Sequence, residues 1–499
     1  MAGWPQHDLF WRAALRVDLP ALFLFALDIC VAFVVSHGLP PSDQHNRHGE
    51  ISGTHTAVNS QRNQRPPTST ANSSCQANGH RRLTHIQHAP PSGFPGGLSL
   101  SHRVRSPPAR PHRGVRPEPM NPLVNKDVFP GSGRSAYLNT ASIALICRDA
   151  LSAMERWQHE LAESGTLSFD EAAEATVFDP LREAAGRLFN ARAEDMAVGS
   201  NATELLASVA WALMPAPDAN IVSTSVTFPT TIYPFMRVAR HTGSEVRLAQ
   251  GNPDYVRPTD LLDLIDERTS VVCISHVEYA SGQLFDLELL ARVTHEHGAL
   301  LIVDATQSAG AVPIDVAASS VDVLVTSGYK WLCGPFGVAL MYLAPHLQGT
   351  LDPGIVGFRS HDDMWDLNPS RMELPDAARR FECSTMAYSA AIGLARSVEH
   401  LLEIGIAEIF AHNRSLADLL IDGLRARGAE LAPELKNGER CSIVSARFVG
   451  CDAKDLARHL NAHRVAVSPR GDVVRFSPHL YNDAADIERA LDEIDRHGD

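Results

Sequence analysis

Lysine is almost missing from this chain. Of 499 residues only four are lysine (Lys126, Lys330, Lys436 and Lys454), so arginine supplies 40 of the 44 basic residues. A basic surplus is missing too. The formal net charge of -14 excludes a general nucleic-acid binder, which needs a cationic face, so no nucleic-acid partner is expected. Cysteines are few and unpaired by spacing. Eight are scattered (Cys30, Cys75, Cys147, Cys273, Cys333, Cys383, Cys441, Cys451) with no CxxC, which excludes a zinc-ribbon pattern and a disulfide framework. Reduced thiols and a cytoplasmic location follow as expectations, and no metal ligand set is read from the sequence. Apolar runs long enough to approach a bilayer span are limited to Leu19–Val35, which contains Asp28. Membrane anchoring through that run is possible but not expected.

What is present falls into unlike parts. Residues 1–119 are expected to be a disordered or dispensable N-terminal extension. Ser42 to Pro119 is rich in Ser, Pro, His, Arg, Gln and Asn and cannot bury enough apolar surface to offset ordering entropy. Met120 opens a stretch that reads like a natural start. Residues 120–385 are expected to form an N-terminal arm and a large α/β domain. Seven apolar strand candidates run through AEDMAVGS, ANIVSTSV, SEVRLAQ, TSVVCISHV, GALLIVDAT, VDVLVTSG and GVALMYLA, with helical segments between most of them. Near-continuous apolar strands alternating with helices predict a mostly parallel sheet covered on both faces. Residues 386–499 are expected to form a smaller α/β domain, entered by one long helical stretch from Ser389 to Gly428.

Open α/β sheets bind ligands beyond the carboxyl ends of their strands. Lys330 is the one lysine directly after an apolar strand, in VDVLVTSGYKWLCGPFG. Apolar neighbours lower an amine's pKa and free it to form an imine; a lysine snorkelling from a strand end is the plain alternative. Asp304 ends ALLIVDATQ. A carboxylate there needs a cation such as a protonated pyridine nitrogen, or else it caps a helix. Gln307 could reach a phenolic oxygen or be a surface amide. In GSNATELL, Asn201 and Glu204 have capping-box spacing. The Ala202 and Thr203 N–H groups at the helix start could cradle a phosphate. Phe228, between a strand and a helix, could stack on a flat ring or fill the core.

The ordered set YLNTAS, GSNATE, TFPTTIYPF, ISHVEYASG, VDATQSAG, SGYKWLCGPFG, RFECST and VVRFSPHLYN resembles the class V aminotransferase group of fold-type I pyridoxal-5′-phosphate (PLP) enzymes. That group includes cysteine desulfurases, selenocysteine lyases, kynureninases and isopenicillin N epimerase-like proteins. The resemblance covers Tyr137 to the C-terminus. It implies PLP as cofactor, held covalently by Lys330, and an amino-acid-like substrate that exchanges onto it as an external aldimine. It further implies that Asp304 pairs with the pyridine nitrogen and Gln307 with the phenolic oxygen, while Phe228 stacks on the ring. Ala202, Thr203 and Ser327 bind phosphate. Tyr329 stands where many relatives carry His and could serve the phosphate. Thr385 reaches a partner subunit's phosphate, so a homodimer with shared sites is implied. Arg475 grips the substrate carboxylate, and Tyr279 stands where desulfurases often carry Asn. Tyr279, Arg359 and Trp365 are candidates for the pocket wall. No cysteine follows Cys451, where desulfurases need a mobile acceptor thiol. Lyase or epimerase-like chemistry is therefore favoured over transamination or desulfurase chemistry. A non-catalytic PLP-fold protein is the alternative from another class.

Overall fold

The computed structural model of the chain describes residues 121–252 and 254–498. The expectations for residues 1–119, including the apolar run 19–35, lie outside them. Seven strands build the central sheet: β1 (Met196–Gly199), β2 (Asn220–Thr224), β3 (Glu245–Ala249), β4 (Thr269–Ser275), β5 (Leu300–Asp304), β6 (Val323–Ser327) and β7 (Ala339–Leu343). Their order is β1-β7-β6-β5-β4-β2-β3. β7 runs antiparallel to β1 and β6, and every other pairing is parallel. This is the mostly parallel seven-stranded sheet that the run of apolar strands predicts.

Side chains alternate between two buried faces, as strand geometry requires. Leu301, Val303 and Leu324 join one core with Leu290 and Leu394. Ile302, Val323 and Val325 join the other with Leu205, Val209 and Phe235. Helix α1 (Ala202–Leu213) and helix α2 (Pro229–Thr242) cover the second face. α2 closes at Gly243, whose φ of 87° is the left-handed cap that glycine adopts without strain. The edge strand β3 carries Glu245 and Arg247, charges that discourage pairing with another edge.

The long helical stretch expected from Ser389 to Gly428 is helical, with one break. It is two helices, α3 (Tyr388–Ile404) and α4 (Ile406–Ala426), broken at Gly405 with φ 94°. A four-stranded antiparallel sheet follows: β8 (Glu430–Leu431), β9 (Val444–Arg447), β10 (Ser468–Arg470) and β11 (Val473–Phe476), ordered β10-β11-β9-β8. Helices α5 (Ala453–Ala462) and α6 (Ala484–Gly498) share its core with α4. The N-terminal arm is packed into this same layer. Ala136 and Tyr137 pair in parallel with Val465 and Ala466, and Ala136 and Leu138 lie in that core. The arm thereby holds Ser142 against Ser468, Arg470 and Arg475 of this sheet.

No helix of the described residues is long and apolar enough to cross a membrane.

Candidate active site

Parallel strands end together, so the polar residues that stop β4, β5 and β6 meet on one edge of the sheet. Ser275, Asp304 and Ser327 line one cleft there with Lys330, Gln307, Phe228, Tyr279, Tyr329, Ala202 and Thr203. The cleft encloses about 530 Å³ counting its open mouth, the size of a small-molecule site. Of the eleven site residues expected from the sequence, nine line this cleft, up to 128 residues apart from Ala202 to Lys330, while Arg475 bonds the carbonyl of the lining residue Tyr279 and Thr385 lies outside; the lining also includes Asn201, Thr230, Val277 and Thr306.

Lys330 is 7% exposed, on the turn after β6. Its Nζ lies 5.5 Å from the centre of the Phe228 ring and 5.7 Å from that of Tyr329. Burial lowers its pKa to about 8. The Asp304 charge opposes that fall, and Arg475 and Arg470 add to it. The snorkelling alternative fails, because the amine ends inside the protein. The turn is backed by a tight approach: Gly310, with φ 89°, leaves only 2.5 Å between the place of a Cβ and the Trp331 carbonyl oxygen.

Asp304 is 5% exposed. It accepts from the Thr231 hydroxyl and the Thr306 N–H, each at 2.9 Å. Both donors are neutral, and among the described residues no guanidinium or ammonium is bonded to this buried carboxylate. A pyridine nitrogen that stays protonated would supply the missing cation. Across the cleft, helix geometry leaves the first N–H groups of α1 without intrahelical partners. Asn201 takes that of Glu204 at 2.9 Å, and the N–H groups of Ala202 and Thr203 are left to an anion at the positive end of the helix. A buried amine, an uncompensated carboxylate and an anion cradle on one cleft fit the aldehyde, ring nitrogen and phosphate of PLP.

Gln307 lines the cleft with its amide oxygen accepting from Trp331 Nε1 (2.8 Å) and its nitrogen donating to the Ala141 carbonyl (3.0 Å). A primary amide has a second N–H, and only that one is free for a ligand. Phe228 is 42% exposed and meets Tyr279 edge-on, with ring centres 5.3 Å apart. Tyr329 stacks on Phe336 at 4.5 Å. Thr385 is exposed and outside the lining of this chain's cleft.

Arg475, on β11, is 1% exposed. One Nη donates to the Tyr279 carbonyl at 2.7 Å and the other to Ser142 Oγ at 2.6 Å, while Nε has no partner. No carboxylate pairs with it among the described residues. Burial, with Arg470 next to it, lowers its pKa to about 9. Arg470 also donates to Ser142 Oγ, at 3.2 Å. This is not a surface salt bridge but a cationic corner awaiting an anion.

Two candidates for the wall sit elsewhere. Arg359 is 4% exposed and stacks over Phe178 at 4.6 Å, and Trp365 Nε1 donates to the Glu171 carbonyl. Neither lines the cleft. Several contributors escaped the sequence reading: Thr231 and Thr306 on Asp304, Ser142 between the arginines, and Arg470. Glu278 escaped it as well. It is 1% exposed, with Thr224 Oγ1 at 2.8 Å, and burial pushes its pKa up to about 8. The only signal for Thr231 and Thr306 was their place inside quoted motifs; nothing in the sequence marked Ser142 as a bridge.

Among known proteins, the chain is 28% identical over 370 residues to an uncharacterised aminotransferase of Bacillus subtilis, YcbU, covering 74% of this chain and 96% of that one. It is 27% identical over 387 residues to a probable cysteine desulfurase of Methanothermobacter thermautotrophicus, covering 72% and 94%. A solved structure of the cystine C–S lyase C-DES, a variant with glycine covalently linked to the PLP cofactor, superposes with a TM-score of 0.69 at 22% identity. It covers 74% of this chain and 99% of that one. The family model of aminotransferase class V matches residues 136–490, a span that runs from the arm through the cleft to α6. The chain therefore belongs to the class V aminotransferases and is a PLP enzyme of fold type I.

Proposed function

We propose that the protein is a lyase that cleaves a Cβ–X bond, C–S in the simplest case, of a cysteine-like α-amino acid. One observation carries the reading: the cleft is lined by the Lys330 amine and by Tyr279, whose carbonyl Arg475 bonds, and no cysteine of the described residues lines it. A desulfurase must pass sulfur to a nearby nucleophilic thiol. Cys441 is buried with its pKa pushed up to about 11, and burial also raises that of Cys383. Neither lines the cleft. A lyase needs no acceptor thiol, because the substrate's own leaving group departs with the sulfur.

PLP, when bound, supplies a conjugated electron sink beside Cα. The chain's own groups do the rest. Arg475 holds the substrate carboxylate through its planar fork, with Ser142 and the Tyr279 carbonyl fixing the guanidinium. Lys330, about half free of its proton near pH 8, takes the proton from Cα and returns one to the leaving group. Asp304 would keep the ring nitrogen charged, Phe228 would face the ring, and Gln307 would offer its remaining N–H to the phenolic oxygen. Ala202, Thr203, Ser327 and Tyr329 would hold the phosphate. Tyr279 bounds the substrate side.

The same frame could return the proton to Cα on the other face, as an epimerase does, or shift it along the imine, as an aminotransferase does. A substrate panel separates these outcomes. Cysteine, cystine and related thioethers should release pyruvate, ammonia and a sulfur product. Racemised amino acid, or a keto acid formed without ammonia, would sink the lyase reading. We further infer a homodimer in which Thr385 serves the partner subunit's phosphate. The exposure of Thr385 and of Phe336 (59%) supports it. A monomer by light scattering that kept full activity would refute the shared site.

A further inference from the structure

The C-terminal layer carries a second cluster of donors, none of which lines the cleft. His459, on α5, and His463, just past its end, are four residues apart. Glu493 and His497, on α6, are also four apart. That spacing places each pair on one side of its helix, and α5 and α6 pack together. His459 Nε2 lies 3.7 Å from Glu493 Oε2, and His463 Nδ1 lies 4.0 Å from the same oxygen. The His459 and His463 ring centres are 4.3 Å apart, and those of His459 and His497 are 5.1 Å apart. Cys451 Sγ is 3.9 Å from His497 Nδ1.

Glu493 is the telling residue. It is 5% exposed. Arg496 engages Oε1, while Oε2 is buried with no hydrogen-bond partner among the described residues. A carboxylate oxygen left bare in the interior is costly unless a cation meets it. The donors aimed at this oxygen are imidazole nitrogens, which are metal ligands when neutral.

We propose that His459, His463 and Glu493 bind a divalent transition-metal ion of the Zn²⁺ class. Two imidazoles with one carboxylate suit zinc, whereas calcium and magnesium want oxygen donors. A tetrahedron with bonds of about 2.0 Å has ligand atoms roughly 3.3 Å apart. The three ligand atoms lie within 4.8 Å of one another, and the two nitrogen–oxygen separations of 3.7 and 4.0 Å need to close by roughly 0.4 and 0.7 Å. Binding has a cost. His459 Nε2 is also 3.1 Å from the Glu493 carbonyl oxygen, and His463 Nδ1 is 2.9 Å from that of His459. Those contacts are exchanged for the metal, so the site is weaker than a zinc finger. Its role is a clamp that ties the last helix onto α5.

The test uses the full chain, loaded with PLP and free of any polyhistidine tag. Titration with Zn²⁺ should reveal one saturable site per chain and raise the melting temperature, since an ion that binds the folded state stabilises it. The double variant His463→Gln with Glu493→Gln should bind at least about tenfold more weakly, the lower end of what a lost supporting group costs a metal site. It should lose the zinc-dependent rise in melting while keeping the PLP absorbance. If that variant does not fold, His463→Gln alone, at a half-exposed position, reads the same loss. Absent saturable binding, unchanged zinc affinity in the variant, or equal stabilisation by Ca²⁺ would each overturn the proposal.

Discussion

Lys330 should react as a free amine in neutral solution, and the four-lysine composition makes that measurable. Burial sets its pKa near 8, against 10.5 for an ordinary lysine. At pH 7.5 roughly a quarter of such an amine is neutral, compared with about one part in a thousand for an unperturbed one, a gap of about 200-fold. The assay is brief acylation of the cofactor-free protein with a small anhydride across pH 6–11, followed by mass spectrometry of the four lysine peptides. Lys330 should label with a midpoint near pH 8. Lys126 should label late, because Asp483 and Asp486 raise its pKa against the effect of burial. Removing the Asp304 charge by Asp304→Asn should shift the Lys330 midpoint lower still, since that carboxylate holds the proton on. The same shift has a stability sign. Between about pH 8 and 10.5 the unfolded chain keeps the Lys330 proton and the folded one does not, so stability rises with pH across that window. Below it the folded protein carries a cost on the order of 3 kcal/mol, which Lys330→Met should relieve. A Lys330 midpoint at pH 10 or above, or an upward shift in Asp304→Asn, would refute the reasoning.

Arg475→Lys should raise KM for amino acids by about 10- to 100-fold, because a point charge cannot hold the fork that meets a carboxylate. Steady-state kinetics with a substrate and its decarboxylated amine check it, and equal losses for both would count against the assignment. Glu278→Gln should stabilise the protein by an amount that grows about 1.4 kcal/mol per pH unit from pH 5 to 8 and then levels off. The reason is that burial keeps the native carboxyl protonated up to about pH 8 while the unfolded one ionises near its ordinary value. Denaturant melts at a series of pH values measure it, and a flat difference contradicts it. Gly310→Ala should cost about 2 kcal/mol or more and weaken cofactor binding, since the new Cβ meets the Trp331 carbonyl at a left-handed φ. Retention of wild-type melting and PLP affinity would argue that the Lys330 turn has room to move.

The two residues most easily read in the sequence were Lys330 and Asp304, because one follows and the other ends an apolar strand, where a charge has few alternatives. Seven strands and their mainly parallel order were legible for the same reason: buried strands read as near-continuous apolar runs. The break at Gly405 was not legible, because glycine within helical periodicity is tolerated and only its φ of 94° reveals the turn. Arg359 and Trp365 looked like pocket residues by their loop, yet one stacks on Phe178 and the other bonds the Glu171 carbonyl.

Composition, strand pattern and motif order by themselves pointed to the fold class and the family and marked Lys330 as the candidate for the covalent lysine, since these depend on local chemistry repeated along the chain. Only the tertiary structure decided which charges stand alone. Whether Arg475 has a partner, whether Glu278 is dry and whether Ser142 bridges two arginines more than 320 residues away are questions of burial and distance between remote segments. Desolvation is a property of the assembled surroundings, so no reading of neighbours along the chain could supply it.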